Sequence, residues 1–84
     1  MPHTQKHILT LVRQHTLAVL SELDIEQIKD TDVLIDLGAN SVDRAEIISL
    51  TLESLALDIP RVGLFEATTP GELAQRIAEQ QAHA

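Results

Sequence analysis

The chain has no cysteine, tryptophan or tyrosine, and Phe65 is its single aromatic residue. Without cysteine it can form neither disulfides nor thiolate metal sites, and its redox compartment stays open. Cations are scarce too. Six Lys and Arg stand against thirteen Asp and Glu, a formal net charge of −7 that opposes association with nucleic acid or an anionic membrane and points to basic partners. No apolar run approaches the roughly 18 residues of a membrane span, and the opening MPHTQKHILTL lacks the layout of a cleavable signal peptide. The expectation is a soluble, monomeric, cytoplasmic protein. Eighty-four residues suffice for one small domain over 1–84, with a core over about 4–79 and a frayed tail from Gln80 to Ala84. An enzyme this short would have to form its whole pocket from a few short elements, so the composition favours a binding or carrier module over a catalyst.

What is present is helical periodicity. Ile8, Leu11, Val12, Val19 and Leu23 recur at three- and four-residue spacing, with His15 on the same stripe, which predicts a first amphipathic helix from Thr4 to about Leu23. Thr4 is its expected N-cap, and Arg13 and Gln14 are expected to face outward. Asp24 to Ile35 holds no sustained period and reads as a long, partly ordered loop anchored by Ile28, Val33 and Leu34. Gly38 ends that loop. A second helix begins at Asn40 or Ser41 and runs to about Leu57, kept from extending by Pro60; its buried stripe is expected to be Val42, Ala45, Ile48, Leu52 and Leu55, with Ile47 and Leu50 beside or opposite it.

Arg61 to Ala67 reads as a single irregular helical turn carrying Val62, Leu64 and Phe65. Thr69 as cap, Pro70 at the first helical position and Glu72 closing a capping box announce the last helix, whose core residues are Leu73, Ala74 and Ile77. With no period-two segment, the fold class is an all-α bundle of three main helices plus one short helix.

Ser41 draws attention within Asp36-Leu37-Gly38-Ala39-Asn40-Ser41-Val42-Asp43. It falls in the first turn of the second helix, where unpaired backbone amides and the helix dipole favour an anionic group such as a phosphodiester. Gly38 and Ala39 lack bulk, leaving the hydroxyl open to another protein. A serine after glycine at a helix start is, taken alone, most simply a cap.

The surrounding pattern carries more. DLGANSVDRAEI followed by an apolar helix resembles the phosphopantetheine attachment motif of acyl carrier proteins, with a Gly three residues before the Ser and an aliphatic residue after it. The resemblance spans nearly the whole chain, from the first helix through the Ile59-Pro60 pair to the final helix. It implies covalent 4'-phosphopantetheine on Ser41 and no catalytic residues of the chain's own. One departure is Asn40, where many carriers have an Asp implicated in recognition by the phosphopantetheinyl transferase; Asn caps a helix equally well.

SVDRAEII with LALDIPRVGLFEATTPGELAQRI downstream is similar to the free-standing donor carriers of polyketide β-branching cassettes, which work with a 3-hydroxy-3-methylglutaryl (HMG) synthase-like enzyme. Arg44 is the distinctive residue. The resemblance implies that an acyltransferase loads malonyl, that a decarboxylating ketosynthase-like enzyme converts it to acetyl, and that acetyl passes to the synthase. The pantetheine thiol forms the thioester and the visited enzymes supply catalysis. The absence of Trp sides with donor over acceptor carriers by association alone.

Partner recognition is expected on the exposed face of the second helix, at Val42, Asp43, Arg44, Glu46 and Ile47, beside Asn40, with Asp36 and Arg61 flanking. Asp43 and Glu46 also complement the positive end of the helix dipole, worth ~0.3–1 kcal/mol each, and Arg44 could simply pair with Asp43 at little gain.

His3 and His7 are four residues apart, a spacing zinc can use, but no third ligand is in register, so no metal site is expected. A Ser-His-acid arrangement would have to recruit His15 or His83 to Ser41, without a strained elbow or a Gly-rich oxyanion loop. Two alternatives stand beside the donor carrier: a chain-bearing or fatty-acid-type carrier, and an unmodified helical adaptor that binds through the second helix.

Overall fold

A computed structural model describes residues 3–82. Three helices carry the fold: α1 (Gln5–Val19), α2 (Ser41–Leu55) and α3 (Pro70–Ala82). The short element expected between Arg61 and Ala67 is the 3₁₀ turn Val62–Glu66, and two further 3₁₀ turns stand among the described residues, Ile25–Gln27 and Leu34–Leu37. No strand occurs among these residues, and none of their helices is long and apolar enough to cross a membrane. The Cα radius of gyration is 11.5 Å.

Local chemistry accounts for each start. The Thr4 hydroxyl accepts from the His7 amide at 3.1 Å, and Thr69 does the same for Glu72 at 3.1 Å, as their cap positions predicted. The expected box at α3 takes another form. The Glu72 carboxylate accepts from the Thr68 hydroxyl at 3.5 Å and from Arg76 at 3.1 Å, one turn on.

Two helices end earlier than their periodicity suggests. At the end of α1, Leu20 leaves helical angles while its amide still reaches Thr16, and Leu23 then turns back to donate to the Leu20 carbonyl at 3.1 Å. The turn returns Leu23 to a half-buried position, which imitates another helical repeat. α2 stops at Leu55, well before Pro60, because Ala56 takes a left-handed conformation (φ 54°, ψ 39°). Its amide donates to Glu53 at 3.1 Å and the Leu57 amide to Leu52 at 3.0 Å, the paired bonds of a Schellman closure.

One core cluster unites Ile8 and Val12 of α1, Ile48 and Leu52 of α2, Leu64, and Leu73 and Ile77 of α3. The long loop is pinned to α1 and to the approach to α3. Ile28 and Leu34 are buried as expected, whereas Val33 is exposed. Arg13, expected to face outward, is half-buried and donates from Nε to the Ile28 carbonyl at 2.8 Å. The loop backbone also bonds across to the approach to α3, through Leu34 to Thr68 at 2.8 Å.

The tail differs from expectation as well. Gln80 to Ala82 continue α3, and Gln81 exchanges hydrogen bonds with the backbone of His3. That pairing across the chain ends holds a turn that its own side chains would let fray. Residues 83 and 84 lie outside the described residues.

Candidate functional site

The turn Leu34–Leu37 closes on Gly38 at φ 106°, whose amide donates to the Ile35 carbonyl at 3.1 Å. A Cβ there would meet nothing within 4 Å, so glycine answers a backbone requirement and not a lack of space. Ala39 then plunges to full burial and donates to the Leu34 carbonyl at 3.1 Å. It anchors the junction, while Ser41, two residues on, stays exposed.

Asn40 and Ser41 follow. Asn40 Oδ1 accepts from the Asp43 amide at 2.9 Å, and Asp43 Oδ2 accepts from the Asn40 amide at 3.2 Å, a reciprocal capping box. Four amides at a helix start have no intrahelical acceptor. The box occupies those of Asn40 and Asp43, leaving those of Ser41 and Val42 as donors beside the exposed Ser41 side chain. A phosphodiester on that hydroxyl would meet unpaired donors and the positive end of the helix dipole, so the residues fit the group.

The residues expected to read partners separate into distinct environments. Asp36, Asn40, Val42, Glu46 and Arg61 are exposed, Val42 at 73%. Val42 is therefore absent from the buried stripe expected of it, although its exposure suits the recognition role. Asp43 is half-buried with its carboxylate engaged in the box, so it does not pair with Arg44. Arg44 is half-buried too, and its Nε is buried without a hydrogen-bond partner.

Ile47 is a correction: it is fully buried in the core and cannot contact a partner. The buried side of α2 is Ile47, Ile48, Thr51, Leu52 and Leu55, rotated from the expected stripe because the packing of α1 and of the turn Val62–Glu66 against it decides which apolar residues go inside.

Arg61 Nη1 donates to Ser49 Oγ at 3.1 Å, which sets the 3₁₀ turn Val62–Glu66 beside the face of α2 that also carries Val42 and Glu46. Val62 follows at 82% exposure. Its exposure makes it a further candidate for partner contact, and the only sequence signal was an apolar side chain outside any helical period. Ile35, 63% exposed before Gly38, is a candidate of the same kind. A cavity of about 310 Å³ is lined by Gly38 together with Val19, Leu20, Leu23 and Leu37 among others.

The histidines are engaged elsewhere. His3 and His7 stack with centroids 5.6 Å apart, and His3 Nε2 meets the Leu55 carbonyl at 3.0 Å. Among the described residues no three His, Asp or Glu side chains gather as a metal group. His15 Nε2 bonds to Ser54 Oγ at 2.8 Å, on α2 roughly 20 Å from Ser41 at the helical rise. That removes His15 from a Ser-His-acid arrangement; His83 lies outside the described residues.

Residues 11–77 match the family model described as "Phosphopantetheine attachment site". Over 57 residues the chain is 53% identical to the polyketide biosynthesis acyl-carrier-protein AcpK of Bacillus subtilis (strain 168), an alignment covering 68% of this chain and 70% of that protein. A solved chain from the crystal structure of the curacin biosynthetic pathway HMG synthase in complex with acetyl donor-ACP superposes with a TM-score of 0.84 at 38% identity. That match covers 92% of this chain and 99% of the other.

Proposed function

The chain belongs to the phosphopantetheine-attachment family of acyl carrier proteins, which are carriers and not catalysts, and from that premise we propose that Ser41 bears the arm and that the protein donates acetyl in polyketide β-branching. The observation that carries the assignment is the exposed Ser41 at the first position of α2, inside the matched span, beside two backbone amides left free by the Asn40–Asp43 box. The arm's thiol supplies thioester chemistry. The chain's own residues hold the attachment point rigid and present a surface that enzymes read.

Similarity to the donor carrier seated on the curacin HMG synthase supports an HMG synthase-like partner here. Upstream partners are a phosphopantetheinyl transferase, an acyltransferase and a decarboxylating ketosynthase-like enzyme, all working in the cytoplasm. Recognition rests on the exposed group Asp36, Val42, Glu46 and Arg61, extended by Val62. The acids would meet a basic rim on the synthase, steering encounter and fixing register, while the valines supply apolar contact.

Intact mass after incubation with coenzyme A and a broad-specificity phosphopantetheinyl transferase tests the attachment. A gain of one phosphopantetheine is expected in the wild type and none in Ser41→Ala, at little cost in stability. The acetylated holo-protein should then transfer acetyl to the synthase. Equal mass gain in both forms would move the site away from Ser41. Loading without acetyl transfer would return the protein to a chain-bearing or fatty-acid-type carrier. An unloaded protein that stays active as Ser41→Ala would be an adaptor.

A further inference from the structure

Arg44 is the sole Lys or Arg between Lys29 and Arg61, a stretch with seven Asp and Glu residues. It lies three positions beyond Ser41 on α2, so the two share a helix face, with Cβ atoms about 5–6 Å apart. Helical side chains lean toward the N-terminus and cover the turn before their own Cα. For Arg44 that is the turn Ser41 begins.

The neighbouring acid does not serve this cation: no ion pair joins Asp43 to Arg44, and the Asp43 carboxylate accepts from the Asn40 amide. Arg44 makes no ion pair among the described residues, and its buried Nε has no acceptor. Buried donors in native proteins are almost always paired, so an orphan on a charged group suggests a missing acceptor.

The geometry points to Arg44 as an intramolecular clamp for the phosphodiester at Ser41, holding phosphate oxygens together with the free amides of Ser41 and Val42. This rests on Ser41 bearing the arm. A guanidinium suits the task because its planar fork can grip two phosphate oxygens, and phosphate in so acidic a neighbourhood lacks another nearby cation. Arg44 is thus a positioning residue. Held at its root, the arm leaves α2 in a restricted direction, so less orientational freedom is lost when it enters an enzyme.

The test uses free holo-protein, with loading at Ser41 verified by intact mass, and needs no partner enzyme. On loading, the Arg44 Nε–Hε resonance should shift and its exchange with water should slow. Arg44→Gln, checked for folding by circular dichroism, should shift the ³¹P resonance and lower the order parameters of the arm's amides, with Arg44→Lys recovering part of the loss. An Nε–Hε resonance that is the same in apo and holo forms would overturn the clamp. So would identical ³¹P shifts and arm relaxation in wild type and Arg44→Gln, even if synthase capture weakened. Absence of the mass gain would overturn the Ser41 assignment and the clamp together, whereas full loading with an unmoved Arg44 overturns the clamp alone.

Discussion

The Gly71 amide donates to the Asp30 carbonyl at 2.9 Å, and a Cβ added at Gly71 would lie 2.8 Å from that same oxygen. The closeness that makes the bond also excludes a side chain. With Leu34 bonded to Thr68, this contact fastens the loop that delivers Gly38 and Ser41 to the first turn of α3.

Gly71→Ala should therefore destabilise by about 1–3 kcal/mol, the usual range for forced overpacking. Urea denaturation measures the loss, and amide exchange should quicken at Leu34 and Gly71 before it does in α2. Gly63→Ala is the control: its Cβ would meet only the flexible end of Gln80 at 3.5 Å. Equal losses at both sites would show that the Asp30 contact is unimportant.

Ala56 is the one non-glycine residue with positive φ among the described residues. A left-handed L-residue costs roughly 1–2 kcal/mol, and glycine loses extra backbone freedom on folding of about 0.5–1 kcal/mol. Ala56→Gly should accordingly stabilise by roughly 0.5–1 kcal/mol, seen as a higher midpoint of chemical unfolding. A lower midpoint would contradict the Schellman closure at the end of α2.

Val42 and Ile47 should behave as opposites. Ile47→Ala removes fully buried volume and should cost about 2–5 kcal/mol. Val42→Ala should stay within about 0.5 kcal/mol of wild-type stability. It should raise the Kd for the synthase roughly fivefold or more if Val42 is an interface anchor. Thermal melts and a titration of the synthase with holo-protein separate the two effects, and unchanged Kd would take Val42 out of the interface.

Asn40→Ala should lose about 1 kcal/mol with the capping bond to Asp43. Asn40→Asp keeps an acceptor at the same place and brings negative charge to the positive helix end, so stability should fall little, if at all. If a generic phosphopantetheinyl transferase reads an acidic residue before the serine, Asn40→Asp should be loaded faster under identical conditions. Equal loading rates would mean that the enzyme reads the cap geometry and not its charge.

Arg44→Glu should weaken capture by the synthase in the holo form. If Arg44 acts through the arm, the penalty should be much smaller for the apo-protein, which has no phosphodiester to position. Comparing apo and holo affinities by calorimetry decides this, and equal penalties would place Arg44 in direct contact with the partner.

The sequence by itself determined the helices, their starts and the place of Ser41. Those features depend on neighbours in the chain: a cap oxygen reaching an amide three residues on, Pro70 preset at a first turn, Gly38 allowing positive φ. The tertiary structure decided which side of α2 faces inward. That helix carries Val42, Ile47, Ile48, Leu50, Leu52 and Leu55 around much of its circumference, so the period alone could not place Val42 outside and Ile47 inside. The same holds for Arg13, drawn to the Ile28 carbonyl, for Gln81, held by His3, and for the half-buried Arg44. Each is governed by a group distant in sequence or by packing between helices. Local spacing records neither, because burial depends on what other elements bring to the same place.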